Sequence, residues 1–312
     1  MELQHLHTFN AVAQAGSLTK AAQTLHLSQP AVSAQIKALE VEMGLALFHR
    51  TARGMELTDS GKLLLEQARD VVHRAQGVLR TAERLRGDVI GTLRLGTIDC
   101  GVDLKLARII GQTTQAHPEL DIQIIASNSG SNAKAVIDHE MDVAFVEGEV
   151  ADDPRLRAWR IETSSLGVIG PAAWRDELAD AQWPRLREFP WIITSPQCSY
   201  CVLLESLDAK YDLQLKPLVI AEAFSEVKGL VAEELGLSIA DLDSAADLVE
   251  AGQLFVWPHF NYDMPVWLIA SASRAEEPAI VSFVRYATAV HEASPRRKTR
   301  PLPRPGSVSV PS

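Results

Sequence analysis

The three cysteines are the most reactive side chains in the sequence. Cys198 and Cys201 form a C-x-x-C pair in Pro196-Gln197-Cys198-Ser199-Tyr200-Cys201, just ahead of an expected helix, and Cys100 follows an expected strand. A helix N-terminus lowers a thiol's pKa and favours the thiolate at neutral pH. Thiolates attack peroxide, close disulfides or bind soft metals. Three of them together would suit Zn(II), Cu(I) or another thiophilic ion. The competing reading makes them small half-buried side chains beside an organic ligand. A C-x-x-C pair without partner context leaves both readings open.

A second group of residues suits recognition rather than reaction. Gln29, Ser33 and Lys37 share one face of an expected helix, with Val32, Ile36 and Leu39 on the other. Small polar side chains at a helix N-terminus reach base edges in the major groove, and lysine reaches phosphate. Downstream, Arg50, Thr51, Arg53 and Gly54 lie between two short apolar stretches, Leu45 to Phe48 and Met55 to Leu57. This predicts a hairpin whose tip arginines meet a nucleic-acid backbone or minor groove.

The elements that must position this face are short and capped. Leu6, Phe9, Val12 and Ala13 recur at helical spacing, and Gly16 ends that helix. Ser17 caps a second helix from Leu18 to Leu25, where Ala21 and Ala22 permit close packing. His26 and Leu27 make the turn. Ser28 caps the third helix and Pro30 falls in its first turn, where a missing N–H costs little. A short helix, a tight turn and a capped helix together predict a winged helix-turn-helix, against the blander reading of a helical subdomain with a polar face.

The stretch from Phe9 to Gly61 resembles the LysR-type transcriptional regulator family. The residues that carry the likeness are Ala21-Ala22, Ser28-Gln29-Pro30-Ala31-Val32-Ser33, Ile36, Leu39-Glu40, Gly44, Leu47-Phe48, Arg50 and Leu57-Thr58-Asp59-Ser60-Gly61. One departure is Ala34, where members often carry arginine, so basic contact is reduced there. The resemblance implies a bacterial regulator that contacts double-stranded promoter or operator DNA through Ser28, Gln29, Pro30, Ala31, Ser33, Ala34, Lys37, Arg50, Thr51 and Arg53. It also implies a small-molecule effector, self-association as a dimer or tetramer, and RNA polymerase as a further partner. No cofactor is implied.

Thr58 is placed to cap a long helix reaching about Arg86. Along it Leu64, Ala68, Val71, Ala75, Val78, Ala82 and Leu85 alternate steps of four and three, a heptad seam that predicts pairing between two chains. The alternative is one amphipathic helix packed on its own domain. After Gly87-Asp88 and Gly91, strand-like and helix-like segments alternate: Leu93 to Thr97, Asp103 to Ala116, Ile122 to Ile125, Ala133 to His139 and Val143 to Val146. A second series runs through Leu166 to Ile169, Trp191 to Thr194, Val202 to Tyr211, Pro217 to Ile220 and Ser225 to Glu234, before Val266 to Ile269 and Pro278 to His291. This alternation predicts a parallel sheet with crossover helices.

The expected fold is therefore an N-terminal α-helical winged helix-turn-helix plus a long linker helix, followed by an α/β effector domain of two subdomains. By resemblance, those subdomains are similar to periplasmic binding proteins. The expected divisions are 1–58 for the winged helix-turn-helix, 59–87 for the linker and 88–293 for the effector domain. Within the last, one subdomain takes 88–162 and 265–293 and the other 163–264; a disordered basic tail takes 294–312. In open α/β sheets ligands sit beyond the carboxyl ends of strands. That rule selects Thr97, Ile98, Asp99, Cys100, Ser127, Asn128, Ser129, Glu147, Thr194, Ser195, Cys198, Phe224 and Ser225. Hydroxyls and helix N-termini suit an anion, whereas Asp99 and Glu147 suit an amine or amino acid. Peroxide-sensing members of the family carry a reactive cysteine at a similar strand exit, with the resolving cysteine much further along the chain.

Charge distribution agrees with this division of labour. The net charge is −10, yet residues 1–87 hold ten basic and eight acidic side chains, while residues 88–293 hold fifteen and thirty-two. Phosphate would repel the acidic body, leaving DNA to the N-terminal part. The tail after Ala293 adds five basic residues and no acid. No run approaches the ~18 apolar residues of a membrane helix, and no secretory signal is read at the N-terminus. A cytoplasmic protein away from membranes is expected. The nine histidines show no metal-protease spacing, and no phosphate loop or nucleophile elbow occurs. An enzyme, dithiol or otherwise, and a solute-binding protein are the disfavoured alternatives.

Overall fold

The computed structural model describes residues 1–51, 54–86, 89–99, 103–149, 153–221 and 224–293, with backbone alone at 73, 76, 79–86 and 225. The chain divides into two units, Met1–Asp88 and Val89–Ser312. Arg53, Cys100 and the basic tail lie outside the described residues.

In the first unit, α1 (Leu3–Ala15), α2 (Leu18–Thr24) and α3 (Gln29–Met43) form under the expected local controls. Gly16 takes φ 61° and Gly44 φ 66° to end α1 and α3. The Ser17 hydroxyl accepts from the Lys20 amide and the Ser28 hydroxyl from that of Ala31. Phe9, Val12, Ala21, Val32, Ile36, Leu39 and Leu47 fill the buried centre. The hairpin is formed by β1 (Phe48–Thr51) and β2 (Gly54–Leu57), with Phe48 edge-on to Phe9 at 5.5 Å.

The hairpin strand begins later than the expected Leu45 to Phe48. The Leu47 amide donates to Glu40 Oε1 at 2.8 Å, and the Leu47 carbonyl accepts from Thr58. Its backbone groups are thus used outside the ladder, and pairing starts at Phe48. Arg50 and Thr51 consequently lie within β1, opposite Met55 and Gly54, and not at the tip.

The long helix α4 (Asp59–Arg86) starts where Thr58 Oγ1 accepts from the Gly61 amide at 2.8 Å. Its apolar residues are split between two faces. Leu64, Leu65, Ala68 and Val72 pack on the unit's own core, while Leu63, Val71 and Val78 are exposed. The single seam expected from Leu64 to Leu85 is therefore divided over its described part, Leu64 to Val78; the side chains of Ala82 and Leu85 lie outside the described residues. Its beginning packs within the unit because α1 lies alongside α4.

The second unit opens with β3 (Gly91–Ile98), α5 (Leu106–Ala116), β4 (Leu120–Ser127), α6 (Ser129–Ile137), β5 (Val143–Glu147) and β6 (Leu156–Pro171). Two single-turn helices, α7 (Arg175–Leu178) and α8 (Trp183–Leu186), precede β7 (Trp191–Thr194), α9 (Ser199–Tyr211), β8 (Pro217–Ala221) and α10 (Phe224–Ala232). Then come β9 (Ser238–Asp241), α11 (Leu242–Glu250), β10 (Leu254–Val256), β11 (Tyr262–Ser271) and α12 (Pro278–Glu292).

The main sheet is mixed, not wholly parallel. Strand β3 runs parallel between β4 and β5, but β11 returns antiparallel between β5 and β6. Strand β6 is shared by two sets of strands: Leu156 to Leu166 pairs with β11, and Leu166 to Pro171 pairs with β9 or β10. A separate parallel pair joins β7 and β8. The first half of β6 escapes sequence reading because Arg157, Arg160 and Glu162 interrupt any apolar run. Strands β9 and β10 are missed because four and three residues are too few to show a period. Among the described residues, no helix is long and apolar enough to cross a membrane.

Candidate functional site

The N-terminal face follows from the way α3 divides its residues. Val32, Ile36 and Leu39 are buried, and Gln29, Pro30, Ala34 and Lys37 are exposed, with Ala31 and Ser33 between. Ser28 spends its hydroxyl oxygen on the helix cap. In the wing, Arg50 is exposed, while the Thr51 hydroxyl donates to Glu56 Oε1 at 3.0 Å across the hairpin. Gly54 anchors this hairpin: at φ 131°, an added Cβ would lie 2.3 Å from the Gly16 carbonyl oxygen. The neighbouring Met55 amide donates to that same oxygen at 2.8 Å. A surface offering Gln29, Lys37 and Arg50 is thus held on rigid elements, with small polar groups near a helix N-terminus.

In the second unit, strand exits come together around Glu147. Thr97 and Ile98 end β3 nearly buried, beside Ala126 and Ser127 of β4, and Asp99 is exposed. Asn128 caps α6 by accepting from the Ser131 amide, and the Ser129 hydroxyl accepts from the Glu147 amide at 3.0 Å. Across from them, the Ser199 hydroxyl donates to the Glu147 carbonyl at 3.0 Å, and the Tyr200 hydroxyl donates to Glu147 Oε1 at 3.3 Å. Tyr200 in turn meets Phe224 edge-on at 5.3 Å. Gln197 Oε1 lies 3.4 Å from Ser131 Oγ and 3.5 Å from Asn128 Nδ2. These contacts connect the exits of β4 and β5 with the starts of α9 and α10.

Sequence reasoning missed Tyr200, Ser199, Gln197, Ser131 and Asn132. Asn132 is fully buried, and its Nδ2 donates to the carbonyls of Thr97 and Phe145, joining β3 to β5. A polar residue one helical turn before the apolar Val136 was the available signal. Thr194 closes β7 with its hydroxyl buried and without a hydrogen-bond partner. Ser195 forms the turn that receives the Cys198 amide at 2.9 Å. Ser225 lies in α10, with only its backbone among the described atoms, and Cys100 lies outside the described residues.

The thiolate expectation is overturned at Cys201. Burial, then the neighbouring Glu205 carboxylate and Cys198, push its thiol up to about 11. Its Sγ lies 3.8 Å from Glu205 Oε1. These effects outweigh the attraction of the α9 N-terminus for negative charge. Cys198 is half-buried at the α9 cap position. Among the described residues, no three metal-ligating side chains form a cluster.

Comparison with known proteins agrees with this architecture. Residues 3–62 match the family described as bacterial regulatory helix-turn-helix protein, lysR family, and residues 86–292 match the LysR substrate binding domain. A probable RuBisCO transcriptional regulator of Synechocystis sp. is 26% identical over 307 residues, covering 96% of this chain and 87% of that protein. The SDS degradation transcriptional activation protein of a Pseudomonas species is 31% identical over 264 residues, covering 81% and 83%. A full-length OxyR variant from Pseudomonas aeruginosa superposes with a TM-score of 0.67 at 21% identity, covering 92% of this chain and 94% of that one. Full-length CbnR complexed with its target DNA gives 0.58 at 20% identity, covering 93% and 99%. The solved structures share the fold; the family matches carry the kinship. This chain belongs to the LysR family of transcriptional regulators, with a helix-turn-helix DNA-binding unit followed by an α/β effector-binding unit.

Proposed function

We propose that α3 and the wing read an interrupted palindrome in promoter DNA, and that a small molecule bound at the strand exits around Glu147 changes that binding. Gln29, Pro30 and Ser33 face base edges, and Ala31 and Ala34 offer apolar contact. Ser28, Lys37, Arg50, Thr51 and Arg53 meet the backbone. The observation that carries this reading is the exposed Gln29–Lys37 face opposite the buried Val32–Ile36–Leu39 stripe. The effector pocket draws on Thr97, Ile98, Asp99, Ser127 to Ser129, Glu147, Thr194, Ser195, Cys198, Phe224 and Ser225. The buried, unpartnered Thr194 hydroxyl and the α9 start, which lacks a side-chain cap, favour an oxygen-bearing ligand group there.

Two chains pair through Leu63, Val71 and Val78, exposed apolar residues among the described side chains of α4, so that two half-sites are read at once. Dimers, or tetramers built from them, act on promoter DNA in the cytoplasm, and RNA polymerase is the partner that receives the change. Nuclease footprinting of the full-length chain on its own upstream region, with and without a panel of small carboxylates and amines, tests the reading. A protected site with two half-sites that changes with one compound is the expected result. No protection at any salt concentration, or a footprint that no compound alters, would overturn it.

A further inference from the structure

His291, in the last turn of α12, is nearly buried and touches two other elements. Its Nδ1 lies 2.9 Å from Glu162 Oε2 on β6, and its Nε2 lies 3.2 Å from the Leu104 carbonyl ahead of α5. A carboxylate and a carbonyl only accept, so both bonds form together only when the ring carries both protons. The hydrogen bond from His291, opposed by partial burial and assisted by Lys105, holds the Glu162 carboxyl below its usual range. Glu162 is therefore an anion facing this ring.

The group has a second arrangement available. Lys105 Nζ lies 3.5 Å from Glu162 Oε2 and 3.5 Å from His291 Nδ1. A neutral ring that keeps its Nε2–H on Leu104 turns a lone pair toward Glu162, which repels the carboxylate. The same lone pair accepts from Lys105, which also draws Glu162. Lys105 occupies the left-handed region at φ 54°, a costly backbone state for a residue with a Cβ, and donates its amide to Asp103 Oδ1. Further charged or titratable groups on these elements are Arg285, Tyr286 and Glu292 on α12, Arg108 on α5, and Arg157 and Arg160 on β6; His117, which ends α5, meets Ser282 Oγ through Nε2 at 2.7 Å.

The position of Glu162 gives the exchange mechanical reach. It stands opposite Val266 where the β6–β11 register shifts, since the next pair is Trp267 with Arg160. Strand β6 is the one shared by both strand sets. We propose that His291 is a proton-operated clasp of the second unit. Protonated, it holds α12 and the approach to α5 against β6; neutral, it releases Glu162 to Lys105 at the bulge. The two arrangements differ by one proton on the ring, so the clasp responds to the pH of the surroundings.

The test uses the full-length chain labelled with ¹⁵N and followed by NMR from about pH 5.5 to 8.5. The His291 ring is assigned through bonds from its own amide, so the assignment needs no variant. Expected is a passage from the doubly protonated ring to the Nε2–H tautomer, with the Lys105 and Glu162 amides shifting at the same midpoint. The Glu162→Gln chain, equal in side-chain length, is expected to lose those linked shifts. A ring that keeps one protonation state throughout, or titrates while both amides stay still, would overturn the proposal. Neither readout involves DNA or an effector, so the result is independent of the regulatory reading.

Discussion

The Tyr200 hydroxyl donates to Glu147 Oε1 across 3.3 Å, tying the first turn of α9 to the exit of β5. Both residues are buried, and the Ser199 hydroxyl binds the Glu147 carbonyl beside them. A ligand that separates the β5 exit from the α9 start must exchange its own polar contacts for these. The candidate effector site is therefore already organised by the chain's own side chains.

Replacing Tyr200 by phenylalanine keeps the ring against Phe224 and removes the donor. An intramolecular hydrogen bond contributes about 0.5–1.5 kcal/mol. The variant is expected to be less stable by that amount in urea melts, and its footprint should respond to effector at a different concentration. An unchanged midpoint and response would show that Glu147 does not use this bond.

In the DNA-binding unit, Gln29 and Lys37 of α3 are expected to behave differently. Gln29→Ala should narrow the gap between the operator and a mutated site by about 1–3 kcal/mol. Lys37→Ala should weaken both sites alike and reduce the salt slope of binding by about one. Fluorescence anisotropy at several salt concentrations separates these outcomes. A uniform loss from Gln29→Ala would remove it from base reading.

Gly54→Ala should destabilise the first unit through both backbone angle and space. The added Cβ would meet the Gly16 carbonyl oxygen at 2.3 Å in a region that disfavours side chains. A strained backbone position of this kind costs ~1–3 kcal/mol. Calorimetry of the full chain should show a lowered transition, and operator affinity should fall because the wing loses its anchor. No change in either would mean that the hairpin can re-form elsewhere.

Cys201 should be inert to alkylation at neutral pH, since its thiol is pushed up to about 11 by burial and by Glu205. Mass spectrometry of the folded chain after iodoacetamide is expected to show Cys201 unmodified at pH 7 and modified only under strongly alkaline or denaturing conditions. Rapid modification at neutral pH would contradict the buried placement.

The pair of arginines around Asp142 makes a pH prediction. Burial alone would raise this carboxyl, but the Arg94 hydrogen bond and the charges of Arg274 and Arg94 leave it lowered. A carboxylate with a depressed native value stabilises above its ordinary titration near about pH 4 and loses that contribution as pH falls further. Asp142→Asn leaves the buried Arg274 without one anion and should cost about 3–5 kcal/mol at neutral pH. Its stability should also depend less on pH in the acid range than that of the parent chain. Urea melts at a series of pH values read both effects, and parallel curves would exclude Asp142 as a source of acid sensitivity.

Local chemistry in the first unit was legible because each signal acts over one turn of helix. Gly16 and Gly44 end helices, Ser17 and Ser28 cap them, and the Val32–Ile36–Leu39 stripe selects the exposed face. The same reasoning marked the second-unit strands, since the apolar runs Leu93 to Thr97, Ile122 to Ile125, Val143 to Val146 and Trp191 to Thr194 fall within β3, β4, β5 and β7, the first three of which run one or two residues further.

Tertiary structure decided what no short window contains. The start of β1 depends on Glu40 taking the Leu47 amide, and the division of the α4 stripe depends on α1 lying beside it. The thiol state of Cys201 depends on Glu205 and on the packing around α9, not on the C-x-x-C spacing. Glu147 meets Tyr200, and His291 meets Glu162, across 53 and 129 residues of sequence. Caps and periods are set by backbone geometry among near neighbours, so the sequence alone determines them. Burial, charge pairing and strand order depend on distant segments meeting, so they exist only once the chain has folded.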